Sequence, residues 1–303
     1  MNLGKNIILG SSRSIRWGNK ETDTLLPISN LSVSTASLEE MAGLYEAVIE
    51  KGQWPEQLTL SLDPWMINKN ALGDDQEWLD RTSFDDHFRQ RVLQDFNQIN
   101  AIDNIKISID SYVDFVKRLI NYERLYSSIK FLNKNGLKIK KLYNLQSPES
   151  LELGDYAIRP DGVLIYPHWV FSKSQEKIDL EARETPDPSK DYVFKNFTVS
   201  PEKWRILQGI IDDAKSKGIR VMVISPPFHP ETFKRLNYLP MYKEAIEKWR
   251  SGLKKISDQV IVCDFTDPKS VSCFNSDFID GTHMGLSCVR KVFQKCTAGF
   301  GDH

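Results

Sequence analysis

An uninterrupted apolar run, Ile7-Ile8-Leu9, that stops at Gly10-Ser11-Ser12-Arg13-Ser14 constrains this chain more than any other stretch. Three consecutive apolar residues do not suit a strand with one face in water, so the run predicts a strand over residues 5–10 covered on both faces. Such strands belong to parallel sheets, whose neighbours are joined by crossover helices. Gly10 and the serines after it end the strand in a polar turn.

The chain beyond this turn keeps the same rhythm. Residues 28–33 offer a weaker strand, and Ser37-Leu38-Glu39-Glu40 has the Ser-x-x-Glu form of a capping box before a helix. Met41, Leu44, Tyr45, Val48 and Ile49 share one face of that helix, and Gly52 marks its end. Leu58 to Leu62 alternates like a strand and runs into Asp63-Pro64-Trp65, where proline cannot continue a ladder. Doubly wound sheets bind ligands beyond the carboxyl ends of their strands, and Ser12 and Asp63 both fall there.

From residue 65 to 199 the pattern changes. Residues 84–96 and 109–132 read as helices, and residues 155–166 read as a hairpin turning at Asp161-Gly162. This region is expected to be a large insertion into one α/β domain spanning residues 1–303. It either lines the site or is structural. The α/β pattern resumes at Ser200-Pro201, a capping serine before proline at the first helical position, with Trp204, Leu207, Ile211 and Ala214 at helical spacing. A strand over 219–224 ends at Ser225-Pro226-Pro227-Phe228-His229-Pro230; a helix over 241–256, a strand over 260–263 and a closing helix through Leu286, Val289 and Phe293 complete the chain.

Charge excludes some partners. Forty basic and 41 acidic side chains leave a net charge of -1, so no overall field recommends nucleic acid or an anionic membrane. No stretch reads as a membrane span or a signal peptide, and cytoplasmic residence is the expectation. Cys263, Cys273, Cys288 and Cys296, spaced 10, 15 and 8 apart, match neither a zinc pair nor Cys-x-x-Cys. Reduced, partly buried thiols and no metal or other cofactor are therefore expected.

Chemistry concentrates at the two ends of the chain. A serine hydroxyl is a poor nucleophile until a base takes its proton, and histidine serves best when a carboxylate fixes its tautomer. Ser12 follows the first strand, whereas Asp280 and His283 stand three apart before the last helix, so folding is expected to join them. Arg13 could bind a substrate carboxylate or phosphate, or form a structural ion pair behind the nucleophile turn. His229, held between prolines at a strand end, could line the pocket or pack the loop.

The arrangement resembles the SGNH, or GDSL-type, hydrolase superfamily. Gly10-Ser11-Ser12 stands where that family has Gly-Asp-Ser, and Asp280 to His283 matches its Asp-x-x-His block. Asn30 to Ser37 looks like the second block, with Ser32 and Thr35 at the glycine positions, and Ser61-Leu62-Asp63-Pro64 stands at the third. The resemblance implies a flavodoxin-like three-layer α/β fold with a mainly parallel sheet. It also implies Ser12 as nucleophile, His283 as base, Asp280 as its orienter, and an oxyanion held by the N–H groups of Ser12 and Thr35. Asp63 stands where the family places an oxyanion-stabilising asparagine; an ionised carboxylate there would repel an oxyanion, so it must be protonated, turned away or used differently.

The expected activity is that of a serine esterase or O-acyltransferase on a carbohydrate or a small acyl ester, the resemblance being nearest to SGNH-like proteins of bacterial surface polysaccharide or teichoic-acid acylation. The alternative is a catalytically inactive SGNH-like module that binds glycan or serves in assembly. A nucleotide-binding Rossmann protein is disfavoured, because Gly10-Ser11-Ser12-Arg13 lacks the glycines that let backbone approach a pyrophosphate.

Overall fold

The computed structural model describes residues 4–23, 26–34, 36–50, 52, 54–71, 157–159, 161–185, 194 and 197–298. The strands are β1 (Asn6–Gly10), β2 (Ile28–Asn30), β3 (Gln57–Ser61), β4 (Ala157–Ile158), β5 (Leu164–Ile165), β6 (Arg220–Ser225) and β7 (Ile261–Asp264). The helices are α1 (Asn19–Thr22), α2 (Leu38–Glu50), α3 (His168–Phe171), α4 (Gln175–Glu184), α5 (Pro201–Ser216), α6 (Pro230–Tyr238), α7 (Pro240–Ile256) and α8 (Leu286–Ala298).

Five strands form one sheet in the order β2-β1-β3-β6-β7, and every pairing in it is parallel. This is the strand order of flavodoxin-like doubly wound folds. Side chains alternate across each strand, so one strand feeds two cores. Ile7, Leu9, Leu58, Leu60, Val221 and Val223 pack with α2, α5 and α7. Ile8, Met222 and Ile224 point the other way, into a cluster with α8. Full burial of each large aliphatic side chain contributes about 1.5–3 kcal/mol, which is why all-apolar strands settle at the centre.

Local chemistry starts the helices where the chain signals it. Ser37 Oγ accepts from the Glu40 N–H at 3.2 Å while Glu40 Oε2 accepts from the Ser37 N–H at 2.8 Å, completing the capping box. Ser200 Oγ accepts from the Lys203 N–H at 3.3 Å at the start of α5. Where the sequence reading expects one helix over 241–256, the structure forms two: Pro230–Tyr238, with proline in its first turn and Thr232 and Leu236 buried on one face, is a separate short helix, α6, before α7.

The segments after β3 and before α5 meet. Asn68 and Val199 form an antiparallel bridge, the Lys69 N–H donates to Thr198 O at 2.7 Å, and the Ser200 N–H donates to Ile67 O at 2.9 Å. The helices expected over 84–96 and 109–132 lie outside the described residues. β4 and β5 pair antiparallel around Asp161-Gly162. Gly162 has φ +85°, and a Cβ there would lie 1.9 Å from Asn30 O, so both backbone conformation and close approach require glycine.

All four cysteines are paired, which corrects the expectation of reduced thiols: Cys263 bonds to Cys296 and Cys273 to Cys288. The spacing resembled no redox or metal motif because the partners meet through the packing of α8 against β7 and the loop after it, not through local sequence. No helix among the described residues is long and apolar enough to cross a membrane.

Candidate active site

β1, β3 and β6 end side by side, so the turns that follow them converge at one edge of the sheet. After β1, the Ser14 N–H donates to Ser11 O at 3.1 Å, closing a turn with Ser12 and Arg13 at its centre. A Cβ on Gly10 would lie 2.2 Å from Ser14 Oγ and 2.6 Å from the Ser61 Cβ, so only glycine lets the turn fold back over β3. Among the described residues the Ser12 N–H has no hydrogen-bond acceptor.

Ser12 Oγ lies 3.0 Å from His283 Nε2 across 271 residues of sequence. His283 Nδ1 lies 2.8 Å from Asp280 Oδ2 and 3.0 Å from Oδ1. A carboxylate only accepts, so Nδ1 carries the proton and the Nε2 lone pair is free to accept from the Ser12 hydroxyl. The side chains of His283 and Asp280 remain 24% and 29% exposed, leaving the constellation open to solvent.

The three-residue spacing of Asp280 and His283 has a local cause. Asp280 Oδ1 accepts from the N–H groups of Thr282 and His283, each at 2.8 Å, so the carboxylate closes its own turn while its other oxygen meets the ring. The loop is pinned behind by Ile279 N–H to His283 O at 3.0 Å and Gly285 N–H to Asp277 O at 2.7 Å. α8 begins only at Leu286, so Asp280 caps this loop and not the helix. Burial works to raise the Asp280 carboxyl, yet the charge and hydrogen bond of His283, with the two N–H donors, outweigh it and hold it well below the usual carboxylate range.

Arg13 and Asp63 pair with each other beneath the Ser12 turn, through Arg13 Nη1 and Asp63 Oδ1, and are 7% and 0% exposed. Asp63 Oδ2 accepts from Ser11 Oγ at 2.6 Å. Arg13 Nη2 donates to Pro226 O at 2.8 Å and Pro227 O at 2.5 Å, Nε donates to Thr282 O at 3.3 Å, and the guanidinium lies 3.9 Å over the Phe228 ring. Burial pushes the Arg13 pKa down, and the contact with Asp63 opposes it. Of the two sequence readings for Arg13, the structure places it in the ion pair. Its partner Asp63 is turned toward Arg13 and Ser11, and both side chains are buried beneath the turn.

His229 is fully buried at the start of α6, where Nδ1 accepts from the Glu231 N–H at 3.2 Å and Nε2 lies 3.3 Å from Asp179 Oδ1. Burial lowers its pKa, against the pull of Asp179. It packs the loop and does not line an open pocket. Thr35, the expected second oxyanion donor, lies outside the described residues.

Several participants had no distinct signal in the sequence. Asn30 Nδ2 donates to Ser14 O at 2.7 Å and Trp17 O at 2.9 Å, bracing the Ser12 turn from β2. Its place in the second motif block was visible, but not this duty. The end of the mid-chain region also reaches the site. Tyr166 and Val170 pack on Ile279, and Thr232 Oγ1 lies 2.7 Å from Gly281 O and 3.1 Å from Ala182 O, joining α6 and α4 to the histidine loop. These contacts link residues far apart in sequence, which no spacing rule reports.

Among the described residues no group of three or more His, Cys, Asp or Glu side chains is arranged to hold a metal ion. No curated protein matches the chain. A family model matches residues 5–296, covering both the Ser12 turn and the Asp280 to His283 loop. The chain therefore belongs to the family described as "Protein of unknown function (DUF1574)".

Proposed function

We propose that this protein is a serine esterase or O-acyltransferase of SGNH-like design, working through an acyl-enzyme on an ester-bearing carbohydrate or a related small acyl ester. The observation that carries the reading is the Ser12–His283–Asp280 chain of hydrogen bonds, assembled from opposite ends of the sequence at the carboxyl edge of a parallel sheet.

In the first step Ser12 Oγ attacks the ester carbonyl as His283 Nε2 takes the hydroxyl proton, and Asp280 stabilises the imidazolium that forms. The Ser12 N–H donates to the developing oxyanion. Collapse of the intermediate breaks the acyl–oxygen bond, and His283 returns the proton to the departing alkoxide. Water, or a sugar hydroxyl, then loses its proton to His283 and attacks the acyl-enzyme, releasing the acid or a new ester and restoring Ser12.

The non-catalytic alternative draws its support from Asp63, which is engaged with Arg13 and Ser11 where the resembled family has a side-chain amide. A fluorophosphonate probe separates the two. Stoichiometric labelling at Ser12, with loss of short-ester turnover in a folded Ser12→Ala variant, is expected of the enzyme; an unlabelled, inert wild type sinks it. Two buried disulfides favour an oxidising compartment over the cytoplasmic residence expected from sequence.

A further inference from the structure

The geometry points to the buried Arg13–Asp63 pair as a positioning device that holds the nucleophile turn and the histidine loop in register, a role that rests on the serine-esterase reading. Ser12 and His283 come from opposite ends of the chain, yet their reacting atoms stand 3.0 Å apart. Proton transfer needs that separation kept to within roughly half an ångström. Something rigid must span the gap, and Arg13 is built to do so.

Arg13 follows Ser12 directly, and its Nε reaches the carbonyl of Thr282, the residue directly before His283. One planar guanidinium thus links the neighbours of both reacting side chains. Its other nitrogens are committed to the end of β3 through Asp63 and to the turn after β6 through Pro226 O and Pro227 O. Asp63 in turn holds Ser11, the residue before the nucleophile, at 2.6 Å. Ser12 is therefore gripped on both sides by one ion pair, and the histidine loop is tied to the same point.

Lysine could keep the charge and the contact with Asp63, but a single ammonium cannot serve Asp63, two proline carbonyls and Thr282 in the fork geometry of arginine. The ion pair also gives Asp63 a duty other than oxyanion binding. Both charges lie beneath the turn and are shielded from substrate, so their effect on the reaction runs through geometry.

The test compares wild type, Arg13→Lys and the paired neutral variant R13M/D63N, with folding checked by thermal melting. In R13M/D63N the amide can still accept from Ser11 Oγ, and no buried charge is left alone. In either folded variant kcat on a short acyl ester should fall about 100-fold, the cost of a misplacement near 1 Å, while KM moves less than about threefold. Fluorophosphonate should still label Ser12 to completion, but more slowly in the same proportion. Wild-type kcat and labelling rate in a folded variant overturn the positioning role alone. Collapse of both variants assigns the pair to folding and overturns it too. A wild type that neither turns over ester nor takes label overturns the esterase reading and this role with it.

Discussion

In the proposed mechanism one carboxylate, Asp280, serves both structure and chemistry. Its Oδ1 closes the 280–283 turn, and both oxygens face the His283 ring. Asp280→Asn preserves the shape but puts an amide where Nδ1–H needs an acceptor, so kcat should drop by on the order of 10³–10⁴-fold with KM little changed. Steady-state kinetics checks this. The same residue ties stability to pH. Because its folded pKa is depressed, it stabilises the native state above the ordinary carboxylate value, and that contribution is lost as pH falls through the lower folded value. The urea midpoint should therefore fall further between about pH 5 and about pH 2.5 in wild type than in Asp280→Asn. Arg13 and Asp63 show the opposite economy: removing one partner alone leaves a buried charge and costs about 3–5 kcal/mol.

Elements carry the site through their ends. β1, β3 and β6 stop at one level and deliver Ser12, Asp63 and the Pro226-Pro227 turn to one edge. The hairpin of β4 and β5 acts from the side: the Asn30 N–H donates to Asp161 O at 2.7 Å, and Arg159 joins Glu21 to Asp161. Gly162 is where that hairpin meets β2. Gly162→Ala should cost about 1–3 kcal/mol for the left-handed backbone, and more for the clash with Asn30 O. Since Asn30 braces the Ser12 turn, activity should fall along with the urea midpoint. An unchanged midpoint would show that the hairpin does not press on β2.

Across the whole molecule, the two disulfides bind α8 to β7 and to the loop after it, and the ring closed by Cys273 and Cys288 contains Asp280 and His283. C273S/C288S should lower stability by about 3 kcal/mol, the chain-entropy value for a loop of this length. Alkylation of the denatured, unreduced wild type should find no free thiol. Much of this architecture is legible in the linear chain, because local rules govern it. Ile7-Ile8-Leu9 must be buried on both faces, Ser37 with Glu40 and Ser200 with Pro201 must start helices, Asp161-Gly162 must turn, and a Gly-Ser-Ser turn and an Asp-x-x-His loop mark the candidate site. Tertiary structure alone decided which partners close the distance. Spacing cannot tell whether Asp63 faces an oxyanion or Arg13, whether His229 lines a pocket or fills one, or which cysteine meets which. Those outcomes depend on burial and on contacts between segments up to 271 residues apart. Sequence determined where each strand ends; packing determined what waits there.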